Sequence, residues 1–266
     1  MPYALNASTK IYWEERGQGE PLLLIMGLGA TMDLWHRVTP MVSPTYRTIL
    51  LDNRGAGRSD APPGPYSIPQ MAEDALAVLD GAGVERAHVF GASMGGMIAQ
   101  ELALNHPRRV RSLILGCTAA GGKAVVPADR EVVAALTDRT ALPPDQAARV
   151  MVPFTYDAST PRARVEEDCA IRERTAIGDD AFGAQYQAIR VWPGTIDRLG
   201  ALAMPVLVIH GETDRLVPPE NGRIIARAVP QSKLVMIPNA SHIFFTDQPE
   251  ASKDAILAFL NGARSL

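Results

Sequence analysis

The most constraining feature of this chain is a serine held between glycines where an apolar run gives way to a helical segment. The run Gly91-Ala92-Ser93-Met94-Gly95-Gly96 directly follows the apolar stretch 87–90 and opens the segment 94–105. A short apolar run bounded by glycine indicates a buried strand, and the helical segment begins directly after it. Glycines beside Ser93 permit the close approach of strand and helix that a sharp turn between them requires. The sequence therefore predicts a strand–turn–helix unit with Ser93 at the turn.

Short apolar runs alternate with longer amphipathic segments along much of the chain, which is typical of βαβ units around a parallel sheet. The predicted strands are 22–25, 48–51, 87–90, 112–115, 206–209 and 233–237. The predicted helices between and after them are 67–79, 94–105, 219–228 and 250–260. The fold class is therefore α/β, with a mostly parallel central sheet flanked by helices.

The alternation stops between about residues 119 and 202, where no convincing strand occurs and helical segments such as 130–136 and 162–177 take over. An insertion between two strands of one sheet predicts a helical cap, or lid, over the edge where open α/β sheets bind ligands. We predict a core formed by residues 1–118 and 203–266 and a cap formed by residues 119–202. A separate domain with its own function is the alternative.

The composition limits the classes of partner that the protein is expected to bind. The 266 residues carry a net charge of −3 without a block of like charges, so neither nucleic acid nor a membrane surface is an expected partner. The N-terminus lacks the basic and apolar regions of a secretory signal, and its apolar stretch at 22–26 is far too short to span a membrane. Two cysteines, Cys117 and Cys169, are too few to stabilise a chain of this length through disulfide bonds. We predict a cytoplasmic protein that binds a small molecule; a homo-oligomer stays an open alternative.

Ser93 is the candidate nucleophile, because a G-x-S-x-G run between a strand and a helix exposes the serine hydroxyl at the sheet edge. A serine hydroxyl needs a positioned base, and histidine is the usual one near neutral pH. On such a turn the chain order is serine, then acid, then histidine. Only His242 follows the last strand that can carry the acid, so it is the predicted base. The remaining histidines, His36, His88, His106 and His210, are expected to have structural roles.

Asp214 is the candidate acid. It lies in the segment 211–218, which follows the strand at 206–209 and brings a carboxylate to the same sheet edge. There it would hold one imidazole nitrogen, fix the tautomer and stabilise the imidazolium. Glu212 and Asp247 are rivals, although Asp247 follows His242 and breaks the expected order.

Four segments together carry a resemblance to a known family: 52–59 (Asp-Asn-Arg-Gly-Ala-Gly-Arg-Ser), 91–96, 211–218 and the pair Ser241-His242. The combination resembles the α/β-hydrolase superfamily, and more narrowly its capped esterase, enol-lactonase and cofactor-free perhydrolase branch. The resemblance covers nearly the whole chain outside the predicted cap. Each motif alone is unspecific, whereas the combination is specific.

An oxyanion hole needs backbone N–H groups that point at the charge formed during acyl transfer. One predicted donor is Met94, the residue after the nucleophile. The resemblance implies that Leu28, in the turn Met26-Gly27-Leu28-Gly29, supplies the other. Relatives commonly have histidine where Met26 stands, so the sequence departs from the pattern there. A glycine-rich turn without a catalytic role is the alternative.

A serine nucleophile argues against the branches that use a carboxylate, and it implies an acyl-enzyme that water later cleaves. No metal or cofactor is expected. The predicted reaction is hydrolysis of a carboxylic ester or lactone of a small, largely apolar substrate, with peroxyacid formation as a side activity. The cap offers apolar and aromatic side chains for the acyl pocket, each of which is equally well an ordinary core residue: Met151, Phe154, Tyr156, Phe182, Tyr186 and Trp192.

Two alternatives to this reaction stay open. Carbon–carbon bond hydrolysis of a vinylogous diketone uses the same three residues. Relatives with that activity usually have tryptophan after the catalytic histidine, where this chain has Ile243. A non-catalytic ligand receptor on the same fold is the alternative from another class, because such receptors can retain the three residues.

Overall fold

The computed structural model describes residues 3–175 and 177–263, and one eight-stranded sheet forms its centre. The strands are β1 (Tyr3–Asn6), β2 (Thr9–Arg16), β3 (Glu20–Ile25), β4 (Tyr46–Leu51), β5 (Ala87–Ala92), β6 (Val110–Gly116), β7 (Val206–Gly211) and β8 (Lys233–Ile237). Their order across the sheet is β1-β2-β4-β3-β5-β6-β7-β8. β2 pairs with β1 and β4 in antiparallel fashion, and all other neighbours are parallel. The predicted α/β class with a mostly parallel sheet is confirmed, and all six predicted strands belong to this sheet.

Eleven α-helices lie in the described part of the chain. They are α1 (Thr39–Val42), α2 (Ile68–Gly81), α3 (Met94–Asn105), α4 (Arg130–Asp138), α5 (Pro144–Val150), α6 (Val152–Thr155), α7 (Arg162–Arg174), α8 (Asp179–Val191), α9 (Glu220–Ala228), α10 (Phe244–Asp247) and α11 (Pro249–Ala263). The predicted helix 162–177 corresponds to α7, and its predicted continuation runs through residue 176, which lies outside the described residues. Among the helices that the structure describes, none combines the length and apolar character needed to cross a membrane.

The sheet is covered on both faces, because alternate residues of its central strands enter two different apolar clusters. Leu23 and Ile25 of β3 pack in the cluster that contains the apolar residues of α2 and α3. Leu22 and Leu24 pack in the other cluster, with Trp35 and the residues of α11. Burial on both faces explains why the central strands appear in the sequence as continuous apolar runs. It also fixes the carboxyl ends of β5 and β7, from which the candidate site is built.

The segment after β4 is held by buried charges. Arg54 and Asp74 are 2% and 1% exposed and form two hydrogen bonds of 2.6 Å each. Asp52 is fully buried and accepts the backbone N–H of Met32 at 2.9 Å. Because breaking a buried ion pair leaves one uncompensated charge, these contacts hold the loop firmly against the sheet edge.

The segment between β6 and β7 (residues 117–205, the helical insertion) carries α4 to α8, and its described residues contain no strand. Asp168 of α7 accepts the hydroxyl groups of Tyr156 and of Thr246, at 3.1 and 2.6 Å, and thereby ties the insertion to α10. Gln185 of α8 accepts the N–H of Gly29 at 3.0 Å. The insertion therefore contacts the core through specific polar groups on either side of the site.

Candidate active site

Ser93 occupies a strained turn between β5 and α3. Its backbone has φ 58° and ψ −123°, a region that a residue with a side chain rarely adopts. A Cβ on Gly91 would lie 2.1 Å from the carbonyl oxygen of Gly95, and one on Gly95 would lie 2.0 Å from that of Ile25. Only glycine fits at these two positions, which is the physical reason for the spacing of the motif.

Hydrogen bonds hold this turn in place. The N–H of Ser93 donates to the carbonyl of Gly116 at 2.9 Å, and its carbonyl accepts the hydroxyl of Thr118 at 2.7 Å. The surroundings thus fix the strained residue, as is common where backbone strain belongs to a functional site.

Asp214 and His242 are joined directly. Asp214 follows β7, and its Oδ2 lies 2.8 Å from Nδ1 of His242. Its other oxygen, Oδ1, accepts the N–H groups of Leu216 and Val217 at 2.9 and 2.8 Å. Asp214 and His242 are 3% and 4% exposed. The carboxylate is therefore held by its own loop while it orients the imidazole.

The charge state of Asp214 follows from these contacts. Burial raises the pKa of its carboxyl, but the rings of His242 and His210 outweigh burial and lower the pKa to about 2. Asp214 is consequently ionised at neutral pH. With the carboxylate at Nδ1, the proton of a neutral His242 ring belongs on that nitrogen, which leaves the Nε2 lone pair free to accept a proton.

His210 is the partner that sequence reasoning missed. It is fully buried, and its Nε2 lies 3.2 Å from Asp214 Oδ2 and 2.8 Å from the carbonyl of Val217. A Cβ on Gly222 would lie 2.7 Å from its Nδ1, so α9 closes over the ring. The expected structural role is compatible with this position, although the ring contacts the candidate acid itself. The sequence signal that could have indicated this contact is the i, i+4 spacing of His210 and Asp214.

The two rival acids lie elsewhere. Glu212 is exposed. Asp247 is buried and accepts the N–H of Ser241 and the hydroxyl of Thr160, each at 2.6 Å. Burial raises the pKa of Asp247 to about 6, although both hydrogen bonds favour its charged form. Asp247 therefore anchors the loop that carries His242.

The remaining histidines have partners outside the site. His36 contacts Asp168 at 3.3 Å. His88 is buried against the Ser112 hydroxyl at 2.7 Å, and His106 contacts Glu73 at 2.8 Å. The lining of the cavity described next contains none of these three rings.

Ser93 and His242 lie in the wall of one cavity of about 580 Å³, bounded by the sheet edge and the helical insertion. Among the hydrogen bonds of residues 3–175 and 177–263, none joins these two side chains. The structure therefore brings the candidate base and the candidate acid into contact and places Ser93 in the wall of the same cavity. Catalytic hydrogen bonds are often long before substrate binds.

The turn predicted to complete the oxyanion hole lies against the serine. A Cβ on Gly27 would lie 2.9 Å from Cβ and 3.4 Å from Oγ of Ser93. Asn53 donates to the carbonyl of Met26 at 2.8 Å and fixes the start of the turn. In the described part of the chain, the N–H groups of Leu28 and Met94 have no hydrogen-bond acceptor. Leu28 lines the cavity, whereas Met94 is fully buried and directly follows Ser93 in the chain.

Three of the six predicted pocket side chains line this cavity: Met151, Tyr186 and Trp192. The other three lie elsewhere, which corrects the prediction. Phe154 packs beneath the guanidinium of Arg215, and the hydroxyl of Tyr156 is directed to Asp168. Phe182 lines a neighbouring, smaller cavity of about 210 Å³, whose wall shares Arg139 and Arg172 with the first. These three residues were predicted from their aromatic character, which does not specify which face of a helix is directed to the ligand.

Comparison with known proteins places the chain in a family. A family model described as the alpha/beta hydrolase fold matches residues 20–249. The chain belongs to the α/β-hydrolase family, in agreement with the resemblance of its motifs.

Individual relatives cover almost the whole chain. The candidate carbamate hydrolase RutD of Azorhizobium caulinodans is 31% identical over 97% of this chain and 98% of its own length. The 3-oxoadipate enol-lactonase 2 of Acinetobacter baylyi is 30% identical over 92% of this chain and 90% of its own. The crystal structure of the enol-lactonase from Burkholderia xenovorans LB400 superimposes with a TM-score of 0.86 at 26% identity. That superposition covers 98% of this chain and 100% of the other.

Proposed function

We propose that this hydrolase cleaves a carboxylic ester or lactone through an acyl-enzyme on Ser93. The observation that carries the proposal is the position of Ser93, on a strained turn in the cavity wall that also contains the Asp214-bound ring of His242. The enol-lactonase relatives support the same class of substrate.

In the first half of the proposed reaction, Ser93 Oγ attacks the carbonyl carbon while its proton passes to Nε2 of His242. The carbonyl oxygen becomes an oxyanion, which the free N–H groups of Leu28 and Met94 stabilise. Collapse of this intermediate breaks the carbon–oxygen bond, and the leaving oxygen takes the proton from His242. In a lactone the leaving oxygen stays attached to the acyl group.

In the second half, water gives a proton to His242 and its oxygen attacks the acyl carbon. The acid is released, and the proton returns to Ser93. Asp214 remains ionised throughout, in keeping with its pKa of about 2, and the carboxylate stabilises the imidazolium. Substrate binding has to bring Ser93 and His242 into hydrogen-bond contact, because no such bond joins them among the described residues.

The shape of the cavity favours a small acyl group of largely apolar character. Its volume of about 580 Å³ lies in the range of small-molecule sites, and its wall includes Met97, Val132, Leu136 and Trp192. We propose that the helical insertion acts as the cap that closes this cavity and excludes water. The cytoplasmic location stays a prediction.

A comparison of substrates tests the proposed reaction. We expect the wild-type protein to hydrolyse 4-nitrophenyl butyrate or δ-valerolactone faster than a 4-nitrophenyl carbamate or a vinylogous diketone, with Ser93→Ala as the control. The carbamate is included because one relative is named for that activity. Turnover of the diketone alone, or of the carbamate alone, would show that the ester assignment is wrong. Binding without turnover of any substrate would instead support a receptor.

A further inference from the structure

Three arginines of the helical insertion line the largely apolar cavity that contains Ser93 and His242. They are Arg139, which follows α4, Arg172 of α7 and Arg190 of α8. Arg139 and Arg172 are partly buried, whereas Arg190 is exposed. Hydrolysis of an ester with an apolar acyl group gives no reason to direct several guanidinium groups into the cavity.

Arg139 has no carboxylate partner among the residues that the structure describes. Its guanidinium stacks on the ring of Phe182, 4.2 Å from the centroid, and its Nη1 lies near Gly29, beside the Leu28 turn. Burial, together with the positive charge of Arg172, lowers the pKa of Arg139 to about 10, against the opposing influence of Asp179. The charge of Arg139 is therefore incompletely compensated.

Arg172 is in the same situation. Its polar partner is the hydroxyl of Tyr156, a neutral group. Asp168, one helical turn earlier, is occupied by Tyr156, Thr246 and Arg37, and it forms no ion pair with Arg172 in the described structure. Both guanidinium groups thus face the cavity, each without a carboxylate of its own.

Arginines on the outer face of the insertion differ. Arg149 forms ion pairs with Glu166 and Glu173 at 2.8 and 3.1 Å, and Arg162 contacts Glu166 at 3.6 Å. Arg139 and Arg172, by contrast, are partly buried in the cavity wall and form no ion pair in the described structure, and removal from water makes their charge costly unless a ligand neutralises it.

We propose that the substrate carries a carboxylate in addition to its ester or lactone bond, and that Arg139 and Arg172 bind this carboxylate. Arginine matches the planar, two-oxygen geometry of a carboxylate. Arg139, Arg172 and Asp179 all line the smaller cavity, and their charges sum to +1, which one carboxylate balances. The inference rests on the proposed function, because it concerns the substrate of the same site.

The test compares substrates of equal length with and without the carboxylate. The probes are the mono-4-nitrophenyl esters of succinate and adipate, matched by 4-nitrophenyl butyrate and hexanoate. The wild-type protein is expected to favour a half-ester over its neutral counterpart in kcat/KM. Arg139→Gln and Arg172→Gln should each lower the ratio of kcat/KM for the half-ester to kcat/KM for its neutral counterpart by about tenfold or more, the loss typical of one charged hydrogen bond. Arg139→Lys should restore part of the loss.

Arg130→Gln is the matched control, because it removes the same charge from an exposed residue of the insertion that lines neither cavity, and it should leave the ratio unchanged. If the ratio of kcat/KM for the half-ester to kcat/KM for the neutral ester is the same in the wild-type protein, Arg139→Gln and Arg172→Gln, the inference is overturned while the proposed function stands. Circular dichroism identifies a variant that fails to fold, in which case the other variant decides.

Calorimetry separates binding from turnover. In the Ser93→Ala protein, monomethyl adipate should bind more tightly than methyl hexanoate, and Arg139→Gln should abolish the difference. If the wild-type protein cleaves no ester but this difference is observed, the proposed function fails and the carboxylate site stands. If the two esters bind equally, the carboxylate site fails.

Discussion

Replacement of Ser93 with alanine is expected to lower kcat for an ester on the order of 10⁴- to 10⁶-fold. The reason is that an alanine side chain offers no oxygen for the acyl-enzyme, so that only the oxyanion donors and binding remain. The fold should persist, because the side-chain oxygen is not among the groups that hold the turn; the hydrogen bonds of the turn use the backbone of Ser93. The measurement is release of 4-nitrophenolate at saturating substrate.

Ser8→Ala is the matched control, because this serine is exposed in the turn between β1 and β2. It should retain full activity. Ser93→Ala with the turnover of the wild-type protein would end the nucleophile assignment, since any esterase activity would then belong to another group.

Asp214→Asn is expected to lower kcat by roughly 10⁴-fold with the fold intact. An amide can donate to Nδ1 of His242, which favours the tautomer with its proton on Nε2 and removes the acceptor that Ser93 needs. The imidazolium also loses the negative charge that stabilises it. Because the pKa of Asp214 is about 2, the wild-type carboxylate is ionised at neutral pH and well below it, so the loss should appear at every pH at which the enzyme is active.

The two rival acids provide the controls. Glu212→Gln changes an exposed carboxylate and should leave kcat nearly unchanged. Asp247→Asn weakens the anchor of the His242 loop, so it should lower activity less than Asp214→Asn does. If Glu212→Gln lost as much activity as predicted for Asp214→Asn, the acid would be misassigned.

The sequence predicts the central architecture well, because the central strands are buried on both faces and appear as apolar runs. The first two strands, β1 and β2, were not predicted. β2 pairs with neighbours near the margin of the sheet, and its buried residues Thr9 and Ile11 alternate with the exposed Lys10. Half-buried strands of this kind mix polar and apolar residues, so their signal is weaker than that of a central strand.

The candidate site, too, is predicted from the sequence only in part. Chain order selects His242 and Asp214, and these residues form a 2.8 Å hydrogen bond. Other contacts around the site depend on three-dimensional proximity: Gln185, which holds the turn next to Ser93, reaches Gly29 across 156 positions of the chain. The pocket is harder still to predict, because the insertion places Val126 and Leu136 in the cavity wall and turns Phe154 away. The periodicity of apolar residues in the sequence does not specify which of these side chains faces the cavity.

A crystal structure of the protein treated with an aryl phosphonate that reacts with serine tests the central claim most directly. We predict a covalent bond between phosphorus and Ser93 Oγ. One phosphoryl oxygen should lie within hydrogen-bond distance of the Leu28 and Met94 N–H groups, and His242 Nε2 should lie within reach of Ser93 Oγ. Phosphorus on another residue, or a His242 ring that stays beyond hydrogen-bond reach of Ser93 Oγ in the adduct, would contradict the account.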